Sequence, residues 1–213
     1  MENVDLILYI AIAIPLAAVL LFCERKARTT LLFLLIGMTV CLFCGEVNTL
    51  LFRVIPLPLN LFIVNITPTT EEICKALPVV VYAFLYRPGR RPLLSAAFAL
   101  GIGFAILENT SVLFSSENID VALAVLRGLG CGLSHGLCTM AVGYGCSYVY
   151  KRRKLFYTGT FALLSLSITF HAVCNLFVIA DHSLLGSLLP VLLLVILLPI
   201  ALLRKRSTQK KNI

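Results

Sequence analysis

The sequence is poor in charge. Of its 213 residues, 13% are charged and only 10 are acidic, whereas 60% are hydrophobic. Soluble domains carry about 25% charged residues, so this composition excludes a soluble globular chain. The sequence also lacks a polar linker and an internal repeat, so we expect a single membrane-embedded domain over residues 1–213. It contains no His-Glu-x-x-His motif, which excludes the common zinc site on one helix. It is rich in long apolar runs, which predict an all-α, polytopic integral membrane protein embedded in a lipid bilayer.

The apolar runs predict about seven transmembrane helices, because a bilayer core takes roughly 20 helical residues. We place them at residues 4–22, 30–52, 57–86, 93–114, 120–150, 155–180 and 184–203. The third crossing contains three prolines, so we expect it to be broken near Pro68. A capping box between Thr69 and Glu72 can begin the new helix. A broken helix is tolerated at membrane depth only where it is buried or lines a cavity, so the break predicts a cavity.

Positive charge lies in the short loops between the runs. Fifteen of the 18 lysines and arginines fall in four clusters, at residues 25–28, 87–91, 151–154 and 204–211. The alternate loops carry acids instead: Glu2 and Asp5, then Glu117 and Asp120, then Asp181. The positive-inside bias therefore predicts an outside N-terminus and a cytoplasmic C-terminus. This distribution argues against a nucleic-acid partner, and the N-terminal run lacks the features of a cleavable signal peptide, so we expect a retained helix.

Four of the predicted helices carry ionisable side chains at one depth. Glu71, Glu108, His135 and His171 each lie 15 or 16 residues from the inner end of their crossing. This is about 22 Å at 1.5 Å per residue, in the outer third of a roughly 30 Å core. Glu46 in the second crossing lies at a similar depth. Each such group costs about 2.5–3.5 kcal/mol to insert, so their coincidence predicts a functional site.

Helical spacing adds hydrogen-bonding groups to the same faces. Arg127, His135 and Thr139 lie on one stripe of the fifth helix, because four-residue intervals recur on one face. His171 and Asn175 have the same spacing in the sixth helix. An imidazole and a carboxamide are thus expected to point in the same direction.

Some of these residues also have a plain structural interpretation. Glu71 and Lys75 lie four residues apart and can neutralise each other. Small residues beside the Arg127 stripe favour close helix packing; they are Gly128, Gly132 and Gly136. The eight cysteines, including the Cys-x-x-Cys at residues 41–44, are interpreted as small buried hydrophobes.

Four motifs resemble those of PrsW, a family of bacterial intramembrane proteases. In chain order they are Glu71-Glu72-x-x-Lys75, Phe104-x-x-x-Glu108-Asn109, Arg127 with His135-x-x-x-Thr139, and His171-x-x-x-Asn175, within a core of about residues 68–175. The wider pattern is similar to that of CAAX-processing and bacteriocin-immunity proteases, but has Lys75 instead of arginine and Glu108 instead of histidine. The resemblance implies an endopeptidase of the bacterial cytoplasmic membrane that cleaves a single-span protein, typically an anti-sigma factor, near its extracytoplasmic side.

Peptide hydrolysis needs an activated water, stabilisation of the oxyanion and a proton for the leaving amine. The candidate catalytic residues are Glu71, Glu72, Glu108, His135, His171 and Asn175, with Lys75, Asn109, Arg127 and Thr139 as supporting residues. In our hypothesis one of the paired glutamates is the general base. The last histidine and asparagine polarise the scissile carbonyl, while the remaining glutamate and histidine position water or donate the proton.

A metal-assisted reaction stays open beside the glutamate-only one. Two histidines and a carboxylate can hold a catalytic divalent metal such as zinc; the candidate ligands are Glu72, Glu108, His135 and His171. Buried charges also occur in transporters and proton-coupled channels, and a scaffold could bind a partner helix without chemistry. Polar groups clustered at one depth, without an inverted repeat, favour a protease over a transporter. The oligomeric state is open.

Overall fold

The computed structural model describes residues 4–116, 121–150, 152–180, 182 and 184–196. Within these ranges the chain is helical and contains no strand, which confirms the all-α prediction. The helices are α1 (Val4–Phe22), α2 (Arg25–Val54), α3 (Leu59–Asn65), α4 (Thr67–Tyr86), α5 (Arg90–Ser115), α6 (Val121–Leu126), α7 (Gly132–Cys146), α8 (Arg153–Ile179) and α9 (Leu184–Ile196). A π-helical segment, Arg127–Cys131, joins α6 to α7.

Several helices have the length and apolarity of membrane spans. Three segments in the described part of the chain are long enough to cross a bilayer: Ala27–Val54, Arg90–Ser115 and Arg153–Ile179, with mean hydropathies of 2.1, 1.6 and 2.0. Shorter apolar helices occur at Val4–Leu20 and Leu184–Ile196. These helices confirm a multi-pass membrane protein, and the count of seven crossings stays a prediction. Some predicted features lie outside the described residues. They are the acids at positions 2, 117, 120 and 181, the end of the last predicted crossing and the C-terminal basic cluster, at residues 197–211.

The predicted break near Pro68 is confirmed. Ile66 separates α3 from α4, and Pro68 occupies the first turn of α4, where a missing backbone N–H is tolerated. The predicted capping box is wrong. Because α4 begins at Thr67, Thr69 already lies inside the helix and its hydroxyl donates to the carbonyl of Asn65 at 3.0 Å.

Glycines bring the backbones of α2, α5 and α7 into direct contact. A Cβ atom at Gly103 of α5 would lie 1.9 Å from the carbonyl oxygen of Leu34 in α2. A Cβ at Gly101, on the opposite side of α5, would lie 2.2 Å from the carbonyl oxygen of His135 in α7. Neither contact leaves room for a side chain. The central helix α5 is therefore fixed against both neighbours. One of these two contacts is made by His135, a predicted site residue.

The predicted glycine ridge on the fifth crossing is mostly wrong. A Cβ atom at Gly128 or Gly132 would meet nothing within 4 Å, whereas one at Gly136 would lie 2.7 Å from the Phe98 ring of α5. Gly128 belongs to the π-helical segment, where wider turns change which face meets the neighbouring helix. Spacing alone therefore did not identify the tightly packed glycines.

We expect Gly103→Ala to destabilise the protein, because a Cβ there overlaps the backbone of α2. Overpacking of this kind costs about 1–3 kcal/mol or more. Gly45→Ala in α2 is the matched control, since its Cβ would meet nothing within 4 Å, and alanine favours a helix by about 1 kcal/mol over glycine. Thermal unfolding in detergent should give a lower melting temperature only for Gly103→Ala. Equal melting temperatures would contradict the contact.

Candidate active site

A fully buried lysine lies at the centre of the polar cluster. Lys75 of α4 is 0% exposed, and its Nζ donates to Glu72 Oε1 and to His135 Nδ1, each at 2.7 Å. The same ammonium lies 4.4 Å from the centre of the Phe104 ring. The sequence left open whether Glu71, four residues away, neutralises Lys75, but the ion pair forms with Glu72, three residues away. Glu72 is therefore engaged in holding a buried charge.

His171 of α8 lies between the paired glutamates. Its Nδ1–H donates to Glu72 Oε1 at 3.0 Å, because a carboxylate oxygen can only accept. Nε2 lies 3.9 Å from Glu71 Oε2. This oxygen is buried and has no hydrogen-bond partner within the described part of the chain. One glutamate thus orients the imidazole, while the other presents an uncommitted carboxylate oxygen to it.

His135 of α7 connects the lysine to Glu108. An ammonium can only donate, so His135 Nδ1 is the acceptor from Lys75 and Nε2 carries the proton. Nε2 lies 2.7 Å from Glu108 Oε2 in α5. The other oxygen of this partly buried carboxylate accepts from Arg127 at 3.2 Å. Four motifs that are distant in sequence therefore form one continuous network.

The remaining predicted site residues bind backbone or support this network. Asn109 accepts from Arg127 Nε at 3.1 Å and donates to the Arg127 carbonyl at 3.2 Å, which holds the π-helical segment against α5. Thr139 donates its hydroxyl to the His135 carbonyl at 2.8 Å. Asn175 donates to the carbonyl of Ile63 in α3 at 3.1 Å, beside the break before α4. Its amide protons are thus directed at helix α3.

Two cavities reach the network, and neither is lined by residues 65–68 of the helix break, from which a cavity was predicted. The larger, of about 620 Å³, lies among α1, α2, α4 and α5 and is lined by both Glu71 and Glu108. The smaller, of about 30 Å³, is lined by His135, His171 and Asn175, and again by Glu108. The smaller volume suits one or two water molecules. Water and a larger molecule can therefore approach the Glu108 carboxylate from different sides.

The cluster also fits a divalent metal ion. Glu71, His135 and His171 each offer one ligand atom, and these atoms lie within 4.8 Å of one another. Two histidines and one glutamate form a known catalytic zinc set. The unpartnered Glu71 oxygen is a free ligand, and the Glu72 carboxylate on His171 Nδ1 is the usual outer-shell partner of a metal-binding imidazole. Both nitrogens of His135 are engaged, so binding would require it to give up one contact.

Sequence reasoning missed part of the surroundings of the site. Asp5 was interpreted as a loop acid, yet it belongs to α1 and lines the large cavity. Ser134 and Ser187 line the small cavity. The position of Ser134 beside His135 was a usable signal. Asp5 and Ser187 come close to the site through helix packing, which the sequence does not reveal.

The comparisons agree with this arrangement. The model of the PrsW family, described as intramembrane metalloproteases, matches residues 25–203. That range includes α2 to α9 and every residue of the network. No curated protein and no solved structure matches the chain. Because the family match covers most of the chain, the protein belongs to the PrsW family of intramembrane metalloproteases.

Proposed function

We propose that this membrane protease cleaves a single-span membrane protein of the anti-sigma-factor type near its extracytoplasmic side, by activating water between Glu71 and His171. The observation that carries the proposal is the Glu71 Oε2 atom. It is buried, has no hydrogen-bond partner among the described residues, and belongs to a side chain that lines the large cavity. A carboxylate oxygen so placed can accept a proton from water or bind a metal.

The paired glutamates have different roles in this proposal. Glu72 Oε1 accepts from Lys75 and from the Nδ1–H of His171, and Glu72 lines neither of the two cavities. Glu71 forms no hydrogen bond to either and stays available for the reaction. We therefore assign the reacting water to Glu71 and a positioning role to Glu72.

The other network residues complete the scheme. His135, whose Nε2 lies 2.7 Å from Glu108 Oε2, can donate a proton to the leaving amine. The proton that Glu71 takes from water can replace it through Glu108, because both glutamates line the large cavity. Arg127 and Asn109 hold Glu108 in place. Asn175 would have to leave the Ile63 carbonyl to reach an oxyanion, so we assign it to positioning α3 beside α8.

A metal is part of the proposed function. Glu71, His135 and His171 would hold it, and the geometry of their ligand atoms supports this set. A bound zinc would supply a water of lowered pKa and polarise the scissile carbonyl. With the metal in place, proton transfer falls to Glu108, the remaining carboxylate that lines both cavities.

We expect Glu71→Gln to lower cleavage of a tagged single-span substrate by about 100-fold or more while the protein stays folded. Glu72→Gln should unfold more easily, because an unpaired buried charge costs about 3–5 kcal/mol. Fragment masses and thermal unfolding in detergent measure the two effects.

Two further variants test these assignments. The double variant Glu72→Gln/Lys75→Met should recover stability, since it removes the unpaired ammonium. Glu24 is exposed and precedes α2, far from the network in sequence. The Glu24→Gln variant should therefore cleave the substrate like the wild type. Wild-type cleavage by Glu71→Gln would contradict the role of Glu71.

We expect the purified protein to contain about one zinc ion per chain and to lose cleavage on treatment with a chelator. Added zinc should restore cleavage. His171→Ala should lose the metal, whereas His182→Ala, an exposed histidine between α8 and α9, should retain it. Metal content is read by elemental mass spectrometry. Chelator-resistant cleavage by a zinc-free protein would instead establish the glutamate-only reaction.

The basic loops predict the orientation of the protease in the bacterial cytoplasmic membrane. We expect a C-terminal green fluorescent protein fusion to fluoresce and a C-terminal alkaline phosphatase fusion to be inactive, because the C-terminus is placed in the cytoplasm. A fusion after residue 116, where α5 has ended, should give the opposite pair of results. Phosphatase activity at the C-terminus would reverse the orientation and move the proposed cleavage to the cytoplasmic side.

A further inference from the structure

The large cavity is acidic. Its volume of about 620 Å³ lies within the range of small-ligand sites. Four carboxylates line it, from four different helices: Asp5, Glu46, Glu71 and Glu108. Its lining contains no lysine, arginine or histidine. Carboxylates gathered in a cavity with low-dielectric walls concentrate a negative potential there.

Two of these acids are not neutralised by the network. Glu108 has Arg127 and His135 as partners. Glu46 and Asp5 form no ion pair with any described residue; Asp5 accepts a hydrogen bond from the Ser111 hydroxyl at 2.5 Å. Their negative charge therefore remains available to a ligand.

The cavity also presents acceptors and few donors. The Glu71 side chain is only 7% exposed and its Oε2 has no hydrogen-bond partner in the described ranges. The buried Asn48 Oδ1 is likewise without one. The hydroxyls of Thr39, Thr49 and Ser111 donate to Leu35, Gly45 and Asp5, so they offer lone pairs to the cavity. An ammonium or guanidinium group, which only donates, matches such a surface.

We infer that this cavity binds a lysine or arginine side chain of the substrate next to the bond that is cleaved, with Asp5 and Glu46 as its specificity-determining residues. The inference rests on the proposed function. Glu71 and Glu108 belong both to the cavity and to the catalytic network, so a residue bound here lies beside the reacting groups. Leu42, Phe104 and Leu107 line the same cavity and can pack against the methylene stem.

The family match does not account for this site. It begins at residue 25, whereas Asp5 lies in α1. Two side-chain hydrogen bonds hold α1 over the cavity, from Ser111 to Asp5 and between Tyr9 and Thr39. The helix outside the match thus contributes one of the two unneutralised acids.

The test uses purified full-length protein and four tagged single-span substrates that differ only at one residue beside the cleavage site: lysine, arginine, leucine or glutamate. We expect kcat/KM for the lysine and arginine substrates to exceed that for leucine by about tenfold, with glutamate lowest. Asp5→Asn and Glu46→Gln should each lower the lysine-to-leucine ratio severalfold. Glu46→Lys should favour the glutamate substrate over the lysine one, whereas Glu24→Gln should keep the wild-type ratio.

Binding of the same fluorescently labelled substrates separates this inference from the proposed function. If nothing is cleaved but the wild type binds the lysine substrate more tightly, and Asp5→Asn and Glu46→Gln remove that difference, the inference stands and the proposed function fails. Cleavage with equal rates for lysine and leucine, or with a ratio unchanged in both variants, overturns the inference alone. A lysine preference in binding that a chelator abolishes would assign the cavity to a divalent cation and also overturn it.

Discussion

One buried ammonium organises the site. Lys75 is fully excluded from solvent and must keep its partners, because an unpaired charge in an apolar interior costs several kcal/mol. Its two acceptors are Glu72 on its own helix and His135 on α7. Through them it determines the positions of His171 and Glu108. The register of α4, α5, α7 and α8 is therefore coupled to one charge.

This constraint also explains why two adjacent glutamates are needed. A single carboxylate could not neutralise the lysine and also react, because its negative charge would already be committed to the buried ammonium. Here Glu72 takes the structural task and orients His171 Nδ1, which leaves Nε2 3.9 Å from Glu71 Oε2, an oxygen with no hydrogen-bond partner among the described residues. These two atoms are close enough for one metal ion or one water molecule to contact both. The asymmetry of the pair is thus a consequence of the buried lysine.

The sequence predicted that the ionisable residues gather in one site and that the helix breaks near Pro68, because both depend on local composition and helix length. It did not predict the pairing. Spacing places both Glu71 and Glu72 within reach of Lys75, and the choice depends on His135, which lies 60 residues further along. The capping box and the glycine ridge were wrong for the same reason. Both require knowledge of the preceding helix α3, of the π-helical segment or of a neighbouring helix.

The glycine contacts supply the rigidity that the polar network needs. Gly101 meets the His135 carbonyl, and Glu108 lies seven residues later, two turns along the same face of α5. Phe104 lies between them, with its ring 5.0 Å from that of His135. Backbone contact thus fixes the distance between a carboxylate and an imidazole more firmly than side-chain packing alone could, as catalytic geometry demands. By contrast α1, which covers the acidic cavity, is joined to α2 and α5 by hydrogen bonds between side chains. The reacting groups therefore lie on the tightly packed part of the fold, and one of the two residues that would select a substrate, Asp5, lies on the more weakly held helix α1.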